Sequence, residues 1–285
     1  MKPEGVGAVG EQAVAAPTRT ALTPLLRFIL IKAAKDFSAD DVPNVAASVT
    51  FYALLAIFPA LSALMSLYGL FGDPTEPQKA IADLHGLLPE GAVQVIGDDL
   101  QRLALLPPGP LGLAFALSVL VSLYSATAGM KALITGLAIA YEDKQRRSFI
   151  GMTLVSAAFT VVLVAATVAG VGLGVVAPVV FTEPLLRWPV LMICVLATFY
   201  SLYRFGPQWG GRRHHTMPGG LTAAVAWMAM SAAFSWYAAN FGNFNRTFGS
   251  LGAVAGFMTW IWLSVMVVLF GAELNAAVDA AIPRK

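Results

Sequence analysis

Residues 250–272 read SLGAVAGFMTWIWLSVMVVLFGA, and the chain then meets Glu273. No charged side chain interrupts that stretch. A helix advances about 1.5 Å per residue, so about 20 apolar residues cross a hydrocarbon core about 30 Å thick. The stretch therefore predicts a membrane-spanning helix. Five more runs of the same character precede it: Val45 to Phe71, Leu111 to Met130, Phe149 to Phe181, Trp188 to Tyr203 and Met217 to Asn240. The run at 188–203 is the shortest, but Arg187 and Arg204 at its ends have side chains long enough to reach the headgroups. Composition agrees, with 58% of residues hydrophobic and 12% charged, against about a quarter charged in a soluble domain. The expected fold is all-α, a polytopic membrane protein of six transmembrane helices. Residues 21–285 form its single domain, after a flexible tail at 1–20 that has no signal-peptide pattern.

Orientation follows from the basic residues, which are retained on the cytoplasmic side of short connections. With the N-terminus inside, fourteen of the eighteen Lys and Arg residues fall on the inner side, and Lys79, Arg102, Arg187 and Arg246 fall outside. Both termini are thus expected in the cytoplasm, with the chain crossing the membrane several times. The net charge of +2 gives no case for a nucleic-acid partner. Cys194 is the single cysteine and excludes an intramolecular disulfide.

Residues 21–37 place Leu22, Leu25, Leu26, Ile29 and Leu30 on one side and Arg27, Lys32 and Lys35 around the rest. This predicts an amphipathic helix lying along the inner membrane surface, ended by Asp40, Asp41 and Pro43. The long outer connection, 72–110, is acidic and predicts two short amphipathic helices within PQKAIADLHGLL and AVQVIGDDLQRLALL. They would rest on the outer leaflet, on the bundle, or on a protein partner.

Along the first span, Asn44, Ser48, Tyr52, Pro59, Ser62 and Ser66 project within about 80° of one another. Ser118, Ser122, Ser125, Gly129 and Gly136 do the same along the second, and Gly249, Gly252, Gly256 and Thr259 along the last. Small and hydroxyl residues at such spacing let helices approach closely. The other reading is a polar path between the first two spans. Pro59 removes a backbone bond in mid-span, as a hinge or as a tolerated kink.

Glu273 projects about 60° from Gly252 and so toward protein, whereas Asn275 points to nearly the opposite side. At roughly 36 Å beyond Gly249, Glu273 should end the span at the inner headgroups, where Lys131 is its expected salt-bridge partner. The connection GPQWGGRRHHTMPGG, 206–220, offers Arg212 and Arg213 as contacts for an anionic phospholipid. His214 and His215 lack a third ligand at suitable spacing, so no metal site is assigned. No cofactor is implied.

AASVTFYALLAIFPALSAL in the first span, GLAIAYEDKQRRSF after the second, MPGGLTAAVAWMAMSAAFSWYAANFGNFNRTFGSLGAV and the closing FGAELNA together resemble the YihY/virulence factor BrkB family of bacterial inner-membrane proteins. Some members of that family have carried the label ribonuclease BN. The likeness runs from about 35 to 280. It implies six helices and a multi-pass protein of the bacterial inner (plasma) membrane, and it marks Tyr52, Pro59, Tyr141, Arg147, Pro218, Gly249, Ser250, Leu251, Gly252, Glu273, Leu274 and Asn275 as signature positions. Ile139 stands where the family pattern leads one to expect Asn.

RNA hydrolysis needs a clustered acid and base, or paired metal ions, on a wet surface with basic residues for phosphate. EDKQRR and RRHH supply no such set, so the chain is not expected to be an enzyme. Two classes remain. One is a transporter-like or lipid-handling protein. The other is a membrane scaffold or envelope-assembly factor, acting as a homo-oligomer or through an outer partner at 72–110.

Overall fold

A computed structural model describes residues 19–71, 111–143, 147–180, 187–207, 215–241 and 250–282. Among them are seven helices: α1 (Arg19–Ala39), α2 (Val42–Phe71), α3 (Leu111–Ala140), α4 (Phe149–Val180), α5 (Arg187–Phe205), α6 (Met217–Phe241) and α7 (Ser250–Ala281). The protein is all-helical over this part. Four helices are long and apolar enough to cross a membrane, at Val42–Ala60, Ala116–Ala140, Met217–Ala238 and Val254–Ala281. Shorter apolar stretches lie at Phe149–Ala165 and Leu191–Phe205. Side chains that would be misplaced in water cover the outside, including Leu120, Tyr124, Phe149, Ile150, Val162, Ile193 and Trp236. Lipid is the solvent that suits them. The tail at 1–18, the outer connection 72–110, Arg212, Arg213 and His214 lie outside the described residues, as do the side chains of Ser62 and Ser66.

The most extensive helix pair is α2 with α3, and glycines bring the two close. A Cβ on Gly136 would come within 2.7 Å of Val45 Cγ1, and one on Gly129 within 3.3 Å of Tyr52 Cβ. Ser122 closes the contact by donating to the carbonyl of Ala56 at 3.1 Å. Of the two readings of the polar stripe, packing therefore accounts for this stretch. Asn44 takes a different place: it is exposed, and its amide donates to Asp41 Oδ2 at 2.7 Å to cap the start of α2. Pro59 is half-buried within α2, and the helix continues past it.

α7 is the axis of the bundle. The main core joins Ala46 and Val49 of α2, Ile134 and Leu137 of α3, Tyr203 of α5 and Ala223 of α6 to Val268, Leu269 and Ala272 of α7. Indole donors reinforce the crossings. Trp227 of α6 donates to Ser264, Trp260 of α7 to Ser231, and Trp262 of α7 to the carbonyl of Pro43.

Three expectations change here. α1 does not simply lie along a membrane surface: Ile29 and Ala33 pack on Leu274 and Ala277 of α7, and Phe37 meets Phe270 edge-on. Leu25 joins that contact, whereas Leu26, Phe28, Leu30 and Ile31 of the same helix remain exposed. α3 runs ten residues past Met130, because Lys131 finds a hydroxyl and an aromatic face instead of stopping the helix. α7 likewise passes Glu273 and ends at Ala281, since α1 covers the extra turns.

Candidate functional site

The site lies at the end of the bundle where α1 meets the last turns of α7. Two turns with unusual backbones build it. α3 ends with Glu142 at φ 51°, its N–H bonded to Ile139 O while the N–H of Asp143 reaches Ala138 O. This is the helix stop that glycine usually makes, and a residue with a Cβ adopts it at a cost of about 1 kcal/mol. It leaves Tyr141 buried against α7. Between α1 and α2, Asp41 at φ 53° reverses the chain, and its carbonyl accepts the N–H groups of Asn44 and Val45. Asp40 is thereby held at the corner.

Asn275 is wholly buried and fully bonded. Its Oδ1 accepts the N–H of Gly219 at 2.7 Å, and its Nδ2 donates to Tyr141 Oη at 2.9 Å and to the carbonyl of Thr216 at 3.4 Å. One amide thus ties α7 to the start of α6 and to the end of α3. The backbones must come very close for this. A Cβ on Gly219 would fall on the carbonyl oxygen of Gly271, and one on Gly271 would lie 2.8 Å from Ala223 Cβ. Tyr203 completes the junction by donating to the carbonyl of Val268 at 2.6 Å. Nearby, Asp279 accepts the backbone N–H of His215 at 2.8 Å and meets its Nδ1 at 2.6 Å.

Glu273, two residues away, is 1% exposed, and neither carboxylate oxygen has a hydrogen-bond partner among the described residues. It faces Asp40, with Asp36 and Lys32 farther along α1. Lys32 is committed to Asp36 at 2.6 Å, a bond that holds its ammonium above the ordinary lysine value against the opposing effect of burial. The Asp40 carboxyl is pushed above the usual carboxylate range, first by burial and further by Asp36 and Glu142, against the opposing effects of Glu273 and Lys32.

The expected Lys131–Glu273 pair is not formed. Lys131 donates instead to Thr153 Oγ1 at 2.9 Å and lies 4.5 Å over the ring of Phe149, because its side chain leaves α3 toward α4. Lys131→Met and Glu273→Gln should therefore change thermal stability additively, within about 0.5 kcal/mol. A larger coupling in the double variant would restore the pair. Asn275 does project away from Glu273, but that side is covered by α6 and the 141 turn, so both residues are interior. Gly252 is half-buried, and a Cβ on Gly256 would meet nothing within 4 Å. Among the described residues, no neighbour packs where a side chain at Gly256 would point.

Sequence reasoning did not single out Gly219, Gly271, Tyr203 or Asp279, and it read Asp40 only as the stop of the first helix. The doubled glycine at 219–220, directly after Pro218, was a visible signal for a close helix start. Arg147 reaches the carbonyl of Pro207 with Nη2 at 3.5 Å, while its Nη1 is buried without a partner. Among the described residues, no group of three or more His, Cys, Asp or Glu side chains is placed to hold a metal ion.

Comparison with known proteins bears on this end of the bundle. The chain is 26% identical over 255 residues to the ribonuclease-like protein YfkH of Bacillus subtilis (strain 168), covering 84% of this chain and 91% of that one. It is 27% identical over 261 residues to a UPF0761 membrane protein of Alkalilimnicola ehrlichii, covering 86% of this chain and 56% of the relative. For the UPF0761 membrane protein azo3165 of Azoarcus sp. (strain BH72), the figures are 26% over 272 residues, 87% and 63%. The chain thus spans a little over half of these two longer relatives. No solved structure matches it. The description Virulence factor BrkB fits residues 33–285, from the α1 face that covers Glu273 to the last residue. With that match over nearly its whole length, this multi-pass helical membrane protein belongs to the virulence factor BrkB family.

Proposed function

We propose that the protein is transporter-like and handles lipids or similar amphiphiles in the bacterial inner membrane, as a six-span protein with both termini in the cytoplasm. The observation that supports this reading is a seam. Among the described residues, α2 with α3, α3 with α4, α5 with α6 and α6 with α7 each pack over a long stretch, whereas α4 and α5 touch only briefly. Both helices of the seam expose apolar side chains, Leu154, Val161 and Val162 on α4 and Leu191 and Ile193 on α5. An acyl chain entering sideways meets a surface of its own polarity there. Arg204 at the end of α5, with Arg212 and Arg213 after it, supplies positive charge for an anionic headgroup. The reading includes no catalysis. Glu273, the most buried acid of the site, is 1% exposed, which supports a structural role for it over contact with a phosphate.

A second reading, a scaffold or envelope-assembly factor working as a homo-oligomer or through an outer partner at 72–110, is favoured by the sealed α2–α3 contact. That contact leaves no polar path between those two helices along Val45–Ala56. Liposomes carrying a fluorescent phospholipid separate the two. Exchange between leaflets well above that of protein-free vesicles is the expected result. Exchange at the protein-free rate, from protein shown to be folded, would reject lipid handling and leave the scaffold.

A further inference from the structure

We propose that Asp40 and Glu273 form an acid pair that binds a single proton between them, fastening the end of α1 to α7. The argument begins with what an ionised Glu273 would face. Its carboxylate is 1% exposed and receives no hydrogen bond at either oxygen. Among the described residues, the ionisable groups around it are Asp36, Asp40 and Lys32 on α1, with Tyr141 and Glu142 on the turn after α3 and Asp279 farther along α7. Only Lys32 is positive among these, and it is already bonded to Asp36 at 2.6 Å. A charge here would be buried, unpaired and beside a second acid. Such a site favours the neutral form.

Asp40 is the one group in hydrogen-bonding reach of Glu273. Two ionised carboxylates are both acceptors, so no bond forms between them. One added proton converts the contact into a charge-assisted O–H···O bond and removes the repulsion. The two acids then titrate as a pair, the proton belonging to neither alone. Asp40 is half-buried, and through its open side the proton exchanges with water.

The site has mechanical leverage. Asp40 follows the last residue of α1 and precedes the left-handed corner at Asp41, so a change at Asp40 acts directly on the α1–α2 joint. Loss of the proton places two negative charges face to face and loosens that joint, while Ile29 and Ala33 still rest on Leu274 and Ala277. The sign of the pH effect follows. A proton held more tightly in the folded protein than in the unfolded chain stabilises the fold at low pH, and that contribution fades as pH rises above the ordinary carboxyl range. This inference stands whether or not the protein handles lipid.

The test is infrared difference spectroscopy of the full chain in lipid nanodiscs, stepped from about pH 5 to about pH 9. The protonated-carboxyl band should persist at neutral pH in the wild type and vanish as pH is raised. Glu273→Gln and Asp40→Asn each keep the shape of the neutral acid and offer an N–H donor to the remaining carboxylate, so both should fold. In each, the band at neutral pH should be lost, and the decline of thermal stability with rising pH should become shallower. A wild type with no such band at neutral pH, or a band unchanged in both variants, overturns the proposal.

Discussion

Gly219→Ala should remove about 3 kcal/mol or more of stability and deplete the folded protein recovered from the membrane. One methyl group has this effect because of where it would lie. It would coincide with the carbonyl oxygen of Gly271 and stand 2.6 Å from Asn275 Cγ and Nδ2. Overpacking ordinarily costs about 1–3 kcal/mol when side chains can shift. Here one obstacle is backbone in the middle of α7, so α6 must move away as a body. That movement would also break the bond from the Gly219 N–H to Asn275. Thermal unfolding in detergent measures the loss, and Gly256→Ala is the control. A Cβ on Gly256 meets nothing, so that variant should stay within about 0.5 kcal/mol of wild type. Similar midpoints for the two variants would mean that α6 and α7 do not cross as described.

Asn275→Leu is expected to be nearly as damaging, for a chemical reason instead of a steric one. Leucine matches the amide in size, but it neither accepts from Gly219 nor donates to Tyr141 and Thr216. Stranding a buried polar group costs about 1–3 kcal/mol, and the Gly219 N–H at a helix start in the interior has no water to turn to. The expected loss is roughly 3 kcal/mol or more. Asn275→Asp separates the contributions. It keeps the acceptor for Gly219, removes the donor to Thr216 and adds a buried charge, so it should unfold no later in pH-neutral buffer than Asn275→Leu does. A stable, monodisperse Asn275→Leu protein would show that the amide junction is not a principal fastening of the bundle.

These two residues also show what a sequence can and cannot convey about such a protein. The helices at Phe149, Met217 and Ser250 begin where the apolar runs begin, because in lipid a charge-free run has few structural options. The ends were harder to read. Lys131 and Glu273 look like stops on a hydropathy count, yet α3 and α7 continue past both. The reason lies in tertiary partners, a hydroxyl and an aromatic ring for Lys131 and the cover of α1 for Glu273, which no local pattern records. Helical projection correctly placed Asn275 opposite Glu273. It could not tell that both sides of α7 are covered, so it missed the junction. Glycines posed the same difficulty: 129 and 136 lay on the predicted contact stripe and proved tight, whereas 256 lay on one and proved open. Periodicity identifies a face, and only the fold supplies its neighbour.

The docking of α1 on α7 matters for how the chain is made. α1 leaves the ribosome long before α7, so Ile29 and Ala33 have no seat until Leu274 and Ala277 have been added. The roughly 240 residues between them take on the order of tens of seconds to synthesise. Throughout that interval the first helix must be sheltered by something other than its final partner, and a leaflet surface suits its apolar side. Its arrival on α7 then comes last in the order of assembly. A nascent chain that stalls before residue 274 keeps its first helix loose, and that loose helix distinguishes an unfinished copy from a completed one.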